Sequence, residues 1–202
     1  MASCILTGIR ARERGPSRVP RANPPIGSCA GLRLGPGAFS MLDQRGERRP
    51  ARTVPDEVPL DVSPICGELR TWRPLTIQVV SQSPLEPLWD QLVRRYHYLG
   101  YQKLLGHRLK VLACLQDRPV AALAFSAPAR TLRVRDQWIG WSAAQRRAHL
   151  DRLVNNSRFL ILPWVTVKNL ASQVLARTLA RLPQEWAARF GTRLWLVETF
   201  VD

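Results

Sequence analysis

Aromatic side chains divide this chain at residue 71, and the division limits which part can form a core. All 7 tryptophans lie beyond residue 71, and Phe39 is the one aromatic residue before it. The first 71 residues hold 9 of the 16 prolines and 8 of the 12 glycines. Such a segment has few large apolar groups to offset its chain entropy. We therefore expect a low-order, Arg/Pro/Gly-rich extension over residues 1–71 and one folded domain over residues 72–202.

The expected domain is strongly basic. Residues 72–202 carry 19 basic and 8 acidic side chains, a net charge of +11 within a chain of net charge +15. Arginine outnumbers lysine 27 to 3, and its planar guanidinium binds phosphate in bidentate geometry. This excess favours DNA or another nucleic acid as the partner. The alternative is a solvated basic surface that reflects arginine-rich composition alone.

The chain has no pattern typical of membrane or secreted proteins. Its longest apolar runs, such as Phe159–Val165, are far shorter than the roughly 20 residues that span a bilayer. The N-terminus has no continuous apolar region followed by a small-residue cleavage site. The cysteines at 4, 29, 66 and 114 form no close Cys-x-x-Cys pair, so we expect neither a metal site nor a disulfide. We predict a cytoplasmic protein with no membrane contact, and Cys114 as a small buried hydrophobic residue.

Capping signals and hydrophobic periods predict a mixed α/β fold. The tetrapeptides that begin at Ser83 and Ser142 are capping boxes, and each starts a helix. Proline cannot donate to a strand ladder, so Pro163 marks a bulge or a place where its strand leaves a neighbour. In chain order we predict a strand over 75–80, a helix over 84–96, a hairpin of strands 108–115 and 119–126, a helix from 143 to about 154, a strand over 159–165, a helix after Asn169 and a strand over 194–201.

The helix after Asn169 is predicted to bury an apolar stripe. Asn169 is the expected cap, and Arg177 and Arg181 share a different face. Pro183 is expected to begin a separate helical turn with Trp186 facing inward. The predicted buried positions are Leu170, Val174, Thr178, Leu179 and Leu182.

Four segments occur in an order that resembles the DruA family: RYHYLG (95–100), RDQWIGW (135–141), NNSRFLILP (155–163) and ETFVD (198–202). That family supplies a component of the Druantia anti-phage defence systems of bacteria, and similar proteins occur near transposases. The resemblance covers about Pro74 to Asp202. The resemblance implies that the protein acts together with separately encoded defence proteins, among them a large helicase. Family members continue beyond the last motif, so we expect a truncated member whose α/β domain is incomplete at its C-terminus.

The element order also resembles the core of Gcn5-related N-acetyltransferases, a mixed sheet flanked by helices. In those enzymes a loop at a helix N-terminus cradles the pyrophosphate of coenzyme A. The corresponding stretch is Thr166–Ala171, which lacks the usual glycine. We consider acyl-coenzyme A as one cofactor and assign none. The candidate substrate or cofactor contacts are Asn155, Asn156, Arg158, Lys168 and Asn169, although an Asn pair before a strand is more often a turn.

Three titratable residues within the motifs are candidates for general acid and base chemistry: His97, Asp136 and Glu198. The structural alternative places His97 at a helix end, where a cation is favourable, and pairs Asp136 with a neighbouring arginine. The sequence shows no phosphate loop for ATP hydrolysis and leaves open whether the chain is an enzyme.

Basic residues recur at positions that the predicted elements expose, and we assign them as candidate phosphate contacts. Trp138 and Trp141 stack on bases or lie in the core, and the core is favoured. Three functions stay open: a DNA-binding or DNA-acting defence component, an acyltransferase-like enzyme that modifies a base or amine, and an inactive mobile-element fragment. The candidate nucleic-acid contacts are Arg94, Arg95, Arg108, Lys110, Arg130, Arg133, Arg135, Arg146 and Arg147.

Overall fold

The computed structural model describes residues 3–8, 58–104 and 106–201. The described residues form eight strands and four α-helices, with short 3-10 helices at Leu69–Trp72 and Leu150–Arg152. In chain order they are β1 (Ser3–Gly8), β2 (Ile65–Glu68), β3 (Leu75–Val79), α1 (Glu86–Tyr96), β4 (Arg108–Leu115), β5 (Arg118–Ser126), α2 (Arg133–Ile139), α3 (Ala143–His149), β6 (Leu153–Ile161), β7 (Val165–Lys168), α4 (Leu170–Phe190) and β8 (Leu196–Val201).

Six strands form one mixed sheet in the order β1-β8-β6-β5-β4-β3. Strands β6 and β8 are parallel and are joined through α4, whereas the other neighbours in this sheet are antiparallel. A second, parallel pair is formed by β2 and β7. The mixed α/β fold with a helix-flanked sheet, which the sequence predicts, is confirmed.

The β4–β5 hairpin forms as predicted. Its turn consists of Gln116 and Asp117, whose φ angles are 48° and 66°. Two left-handed residues give the turn a twist that matches the twist of the flanking strands. Both strands are buried along nearly their whole length, because helices cover the two faces of the sheet. Cys114 lies in this core, so its prediction as a buried hydrophobic residue is confirmed.

Helices α1 and α4 cover opposite faces of the sheet. Leu109 and Val111 of β4 border the same small gap as Leu182 of α4. Lys110 lies between them in the strand, and alternation turns its side chain to the other face. There it contacts Glu86 of α1. The face toward α1 is also the face on which the candidate site is found.

Strand β6 begins earlier than the sequence indicates. The prediction of a helix to about Val154 is wrong, because α3 ends at His149 and β6 starts at Leu153. The Asn pair therefore lies within a strand, not in a turn. Pro163 follows the end of β6, and Val165 then begins β7 in the second sheet. The prediction that Pro163 marks a parting of strands is confirmed.

Helix α4 runs unbroken through Pro183, so the separate turn predicted there is wrong. Trp186 faces inward as expected. On another face of α4, Arg177 donates to the carbonyl oxygen of Leu75 at 2.9 Å, and Arg181 donates to that of Ile77 at 3.0 Å. Strand β3 is at the end of the sheet, and these arginines satisfy carbonyl groups along it.

The two predicted helix starts have different outcomes. Ser142 and Gln145 form the reciprocal capping box, with bonds of 3.3 and 2.9 Å. At the first helix, Glu86 instead accepts from the backbone N–H of Gln82 at 2.6 Å, and α1 begins at Glu86. No helix in the described residues is long and apolar enough to cross a membrane.

Two described parts of the N-terminal segment pack into the fold. Strand β1 pairs with β8, although the sequence predicts no strand there. Ile65 of β2 is fully buried in the core, so a boundary at residue 72 leaves out part of the packed structure. The rest of the predicted extension up to residue 57 lies outside the described residues, as does Asp202.

Candidate functional site

A cavity of about 760 Å³ opens where β5 ends and β6 begins. Its size lies in the range of small-molecule sites, roughly 300 to 1,000 Å³. Most of its wall comes from the segment after α1, the end of β5 and the start of β6, and Trp186 of α4 lines it from the other face of the sheet. The lining residues are 102–104, 106, 107, 126–130, 150, 151, 153, 155, 158 and 186.

A β-bulge in β6 brings two candidate residues into this cavity. Asn155 is opposite Ser126 of β5, and Arg158 is opposite Ala124. Ser126 and Ala124 are two residues apart and share a face, so Asn155 and Arg158 share it too. Ser157 is the extra residue that makes this possible. The two side chains, three positions apart in sequence, both line the cavity.

Arg158 is a buried cation without a carboxylate partner among the described residues. It is 7% exposed, and its Nη1 donates to the carbonyl oxygen of Ser157 at 2.5 Å. Its Nε has no hydrogen-bond partner. Burial lowers the pKa of Arg158, while the Tyr98 side chain acts in the opposite direction. Burying an unpaired charge is costly, so this guanidinium is a strong candidate for binding an anion.

Two more buried polar atoms, each in a residue that lines the cavity, lack partners. They are Oδ1 of Asn155 and Nε1 of Trp186. Buried polar groups in native proteins are nearly always satisfied, and exceptions concentrate where a ligand, water or ion completes them. Three residues that line the cavity, Asn155, Arg158 and Trp186, therefore each have a buried polar atom without a partner.

His97 lies beside Arg158 at the end of α1. Its backbone N–H donates to the carbonyl oxygen of Val93 at 3.1 Å, and its Nδ1 accepts from the N–H of Leu99 at 3.2 Å. Burial and then the positive charge of Arg158 lower the pKa of His97. The predicted position at a helix end is confirmed, while burial and the charge of Arg158 both act against a cation at His97.

Glu198 and Arg135 form a closed ring of hydrogen bonds with the cavity wall. Both side chains are 0% exposed, and Arg135 Nη1 donates to Glu198 Oε2 at 3.0 Å. The N–H of Ala129 donates to Glu198 Oε1 at 2.9 Å, while the carbonyl oxygen of Ala129 accepts from Arg135 at 2.8 Å. This ring fixes the backbone of Ala129, which lines the cavity. The prediction that Arg135 is an exposed phosphate contact in a loop is wrong, since it is a buried residue of α2.

Asp136 is held between two arginines. Its Oδ1 accepts from Nη2 of Arg135 at 2.9 Å and its Oδ2 from Nη1 of Arg146 at 3.0 Å. Burial raises the pKa of Asp136, but hydrogen bonds and charge from these arginines outweigh it and lower the pKa below its usual value. The alternative that Asp136 pairs with neighbouring arginines is confirmed.

The three candidate acid–base residues do not converge on one point. Asp136 and Glu198 bind the same guanidinium of Arg135, whereas His97 lies next to Arg158. The contacts of Asp136 and Glu198 hold Arg135 and, through it, the cavity wall in position.

Lys110 is a second correction. It is buried, and its Nζ forms ion pairs with Glu86 at 2.8 Å and with Asp90. Burial lowers the pKa of Lys110, but the hydrogen bonds that its ammonium donates to these two carboxylates, and their charges, raise it overall. The ring of Trp89 lies 4.9 Å from Nζ. The expectation that Lys110 alternates onto an exposed face is wrong, because that face is covered by α1.

The remaining basic candidates stay on the surface. Arg130 lines the cavity as well, and Arg146 is half-buried at Asp136. Arg133 is in α2, so its predicted loop position is wrong. Exposed side chains are those of Arg94, Arg95, Arg108, Arg130, Arg133 and Arg147.

The other proposed substrate contacts lie away from the cavity lining. The side-chain NH₂ of Asn156 donates to the carbonyl oxygens of Ala124 and Arg158 at 3.1 and 2.9 Å. Lys168 is exposed at the end of β7, and Asn169 precedes α4 with φ of 61°. The side chain of Asn169 does not cap the helix, contrary to the prediction.

An aromatic row, formed by Trp141, His149 and Trp195, was not predicted. Ring centroids are 6.0 Å apart between Trp141 and His149 and 5.1 Å apart between His149 and Trp195. Arg152 lies 4.8 Å from the ring of Trp195, which is 41% exposed. Trp138, 63% exposed, contradicts its predicted place in the core. Since members of the row come from separate elements, no local sequence pattern reveals it.

The aromatic row and the cavity are adjacent. Leu150 and Asp151 line the cavity, and they lie in sequence directly between His149 and Arg152. No group of three or more His, Cys, Asp or Glu side chains within the described ranges is arranged to hold a metal ion.

Comparison with known proteins identifies one family. The sequence model of the Druantia protein DruA matches residues 53–202, which is most of the chain. No curated protein and no solved structure matches the chain. The match includes all four motifs, the bulged strand β6 and the buried Glu198. The chain therefore belongs to the Druantia protein DruA family.

Proposed function

We propose that this member of the DruA family is the DNA-contacting component of a Druantia anti-phage defence system. Family membership supports the place in defence. The observation that carries the DNA-contacting role is the aromatic row together with Arg152, whose guanidinium lies over Trp195. Separately encoded proteins, including a large helicase, would supply the ATP-driven steps.

The aromatic row has the composition of a base-stacking surface. Every nucleobase has a flat face, and stacking on an aromatic side chain contributes about 1–3 kcal/mol per base. Trp195 is accessible, and Arg152 adds a cation over the same ring. Bases are accessible for such stacking where DNA is single-stranded. The row thus favours single-stranded DNA.

Arginines around the row can contact the phosphates of the same strand. Arg152 lies over the Trp195 ring, and Arg130 is an exposed residue of the adjacent cavity lining. Each phosphate that such a cation neutralises releases counterions, so binding depends on salt. The net charge of +11 over residues 72–202 supplies long-range attraction in addition.

Substitution of the row tests this function. Binding of a short fluorescent single-stranded DNA with a 5′-hydroxyl end is measured by anisotropy for the full chain. Trp195→Ala removes one stacking platform, and we expect affinity to fall roughly 5- to 150-fold. The matched control is Phe159→Ala, since Phe159 is 36% exposed on β6 and lies outside the row. Equal affinities of the two variants would contradict stacking on the row.

A second candidate function is acyl transfer to a base or amine. The bulge at Ser157 and the β6–α4–β8 crossover support it, because β6 pairs with β8 only over Leu153–Asn156 and the strands then separate. Acyltransferases of the Gcn5-related type bind coenzyme A between such strands. Mass spectrometry of DNA and amine acceptors after incubation with acetyl-coenzyme A tests this candidate. Absence of an acetylated product from the folded chain counts against it.

A further inference from the structure

The cavity lined by Arg158 combines cationic side chains, which suit an anion, with apolar side chains, which suit an organic group. We propose that it binds the phosphoryl group of a nucleotide, supplied either by a free mononucleotide or by the phosphorylated end of a nucleic-acid strand. The proposal concerns the cavity and stands without DNA binding by the aromatic row.

Charge on the cavity wall supports an anion of two charges. Lys103, Arg130 and Arg158 contribute three cations, and Asp151 contributes one carboxylate. A phosphate monoester carries about −1.5 to −2 charges at neutral pH, which balances this excess. Arginine binds phosphate oxygens in bidentate geometry, and Arg158 still has its Nε unpaired.

No carboxylate among the described residues forms an ion pair with Arg158. Glu198 is near in the sheet, opposite Asn155, but its two oxygens already accept from Ala129 and Arg135. His97, on the other side, adds no negative charge, and its lowered pKa fits the presence of a neighbouring cation. The buried guanidinium thus lacks the partner that a structural arginine has.

The rest of the wall suits a nucleoside. Asn155 offers an unpaired acceptor and Trp186 an unpaired indole N–H donor. Nucleobases have both donors and acceptors on their edges, so a base in the cavity can exchange hydrogen bonds with the half-buried Asn155 amide. Leu104, Leu150 and Leu153 supply apolar contacts. The volume of about 760 Å³ is ample for a mononucleotide.

Isothermal titration calorimetry of the full chain tests the proposal. The ligands are the four nucleoside 5′-monophosphates, the matching nucleosides and inorganic phosphate. We expect at least one monophosphate to bind roughly ten- to a hundredfold more tightly than its nucleoside, because only the monophosphate reaches the guanidinium with a charge. Arg158→Met is expected to remove this advantage.

Two further variants separate binding from folding. Arg177→Met is the matched control, since Arg177 binds the Leu75 carbonyl oxygen outside the cavity, and we expect unchanged monophosphate affinity. Arg158→Met without ligand is expected to keep or raise the melting temperature, because it removes an unpaired buried cation. A purely structural arginine would give a lower melting temperature. Asn155→Leu removes an unbonded acceptor and is expected to weaken the monophosphate but not inorganic phosphate.

The source of the phosphate is identified by comparing the affinities of two single-stranded DNAs, one with a 5′-phosphate and one with a 5′-hydroxyl. An Arg158-dependent gain from the 5′-phosphate identifies a strand end. Binding of the monophosphate without that gain identifies a free nucleotide. The proposal is overturned if no monophosphate binds and the 5′-phosphate adds nothing, or if Arg158→Met leaves phosphate-dependent binding intact. The 5′-hydroxyl strand tests the aromatic row separately, so either idea can fail alone.

Discussion

Asn155 and Arg158 are three positions apart in β6, yet both side chains lie on the face of the sheet that α1 covers. In a regular strand, residues three apart face opposite sides. The additional residue Ser157 corrects the alternation, so Arg158, which has no carboxylate partner among the described residues, and Asn155 line one cavity. A local irregularity of one strand thus creates the candidate site.

The Arg135–Glu198 ion pair is expected to be essential for stability. Arg135→Met leaves the carboxylate of Glu198 fully buried without its cation. Breaking a buried pair in this way costs about 3–5 kcal/mol. Urea unfolding of the full chain measures the free energy.

Two companion variants make that result specific. Arg135→Met combined with Glu198→Gln removes both charges and is expected to recover part of the loss. Arg70→Ala removes an exposed arginine paired with Glu68, and a change within about 0.5 kcal/mol is expected. If Arg135→Met is as mild as Arg70→Ala, the ring does not hold the cavity wall.

Stability is expected to decrease as the pH falls from 7 to 5, and His97 is one cause. Its pKa in the folded chain is lowered by burial and by Arg158, so the unfolded chain takes up the proton more readily. The stabilising contribution is therefore complete above the unfolded pKa, about 6.5, and is lost as the pH falls through the lower folded value.

The measurement compares unfolding free energies of the wild type and His97→Gln at pH 7 and pH 5. We expect a smaller decrease in the variant. Glu86 and Asp136 also have lowered pKa values, but their contributions are lost only at more acidic pH, below about 4.5. Equal decreases in both proteins would show that His97 does not titrate as its surroundings indicate.

Arginines on α4 are expected to protect the edge of the sheet. Arg177→Ala with Arg181→Ala frees the carbonyl oxygens of Leu75 and Ile77 on β3. Each lost hydrogen bond costs about 1 kcal/mol, and an exposed strand edge invites pairing between chains. Light scattering at elevated temperature should therefore show faster aggregation than in Arg70→Ala. Unchanged aggregation would mean that the edge is protected by other contacts.

Local sequence patterns predicted the parts of the fold that depend on near neighbours. The Ser142 capping box, the β4–β5 hairpin and the inward-facing Trp186 are confirmed because their signals lie within a few residues or one helix face. Helix α2 was missed, since its short segment of arginines has no clear apolar period. Strand β1 was missed in a segment rich in proline and glycine, because its partner β8 is at the other end of the chain.

The candidate site depended on long-range contacts that sequence patterns do not contain. The spacing of basic residues predicts that Arg135 is exposed, but it is neutralised by Glu198, which is 63 residues away in sequence. Lys110 is neutralised by Asp90, 20 residues away. The sequence did single out Asn155 and Arg158, but the bulge that unites them at the cavity emerged only from the pairing of β5 with β6.

The salt dependence of DNA binding by the full chain tests the DNA-contacting role most directly. The affinity for single-stranded DNA is measured between about 50 and 200 mM salt and plotted as log K against log salt concentration. We expect a straight line with a negative slope of about 0.7 per phosphate contacted, and a shallower slope for Arg152→Ala. A flat line, or no binding at the lowest salt, would contradict a DNA-contacting role.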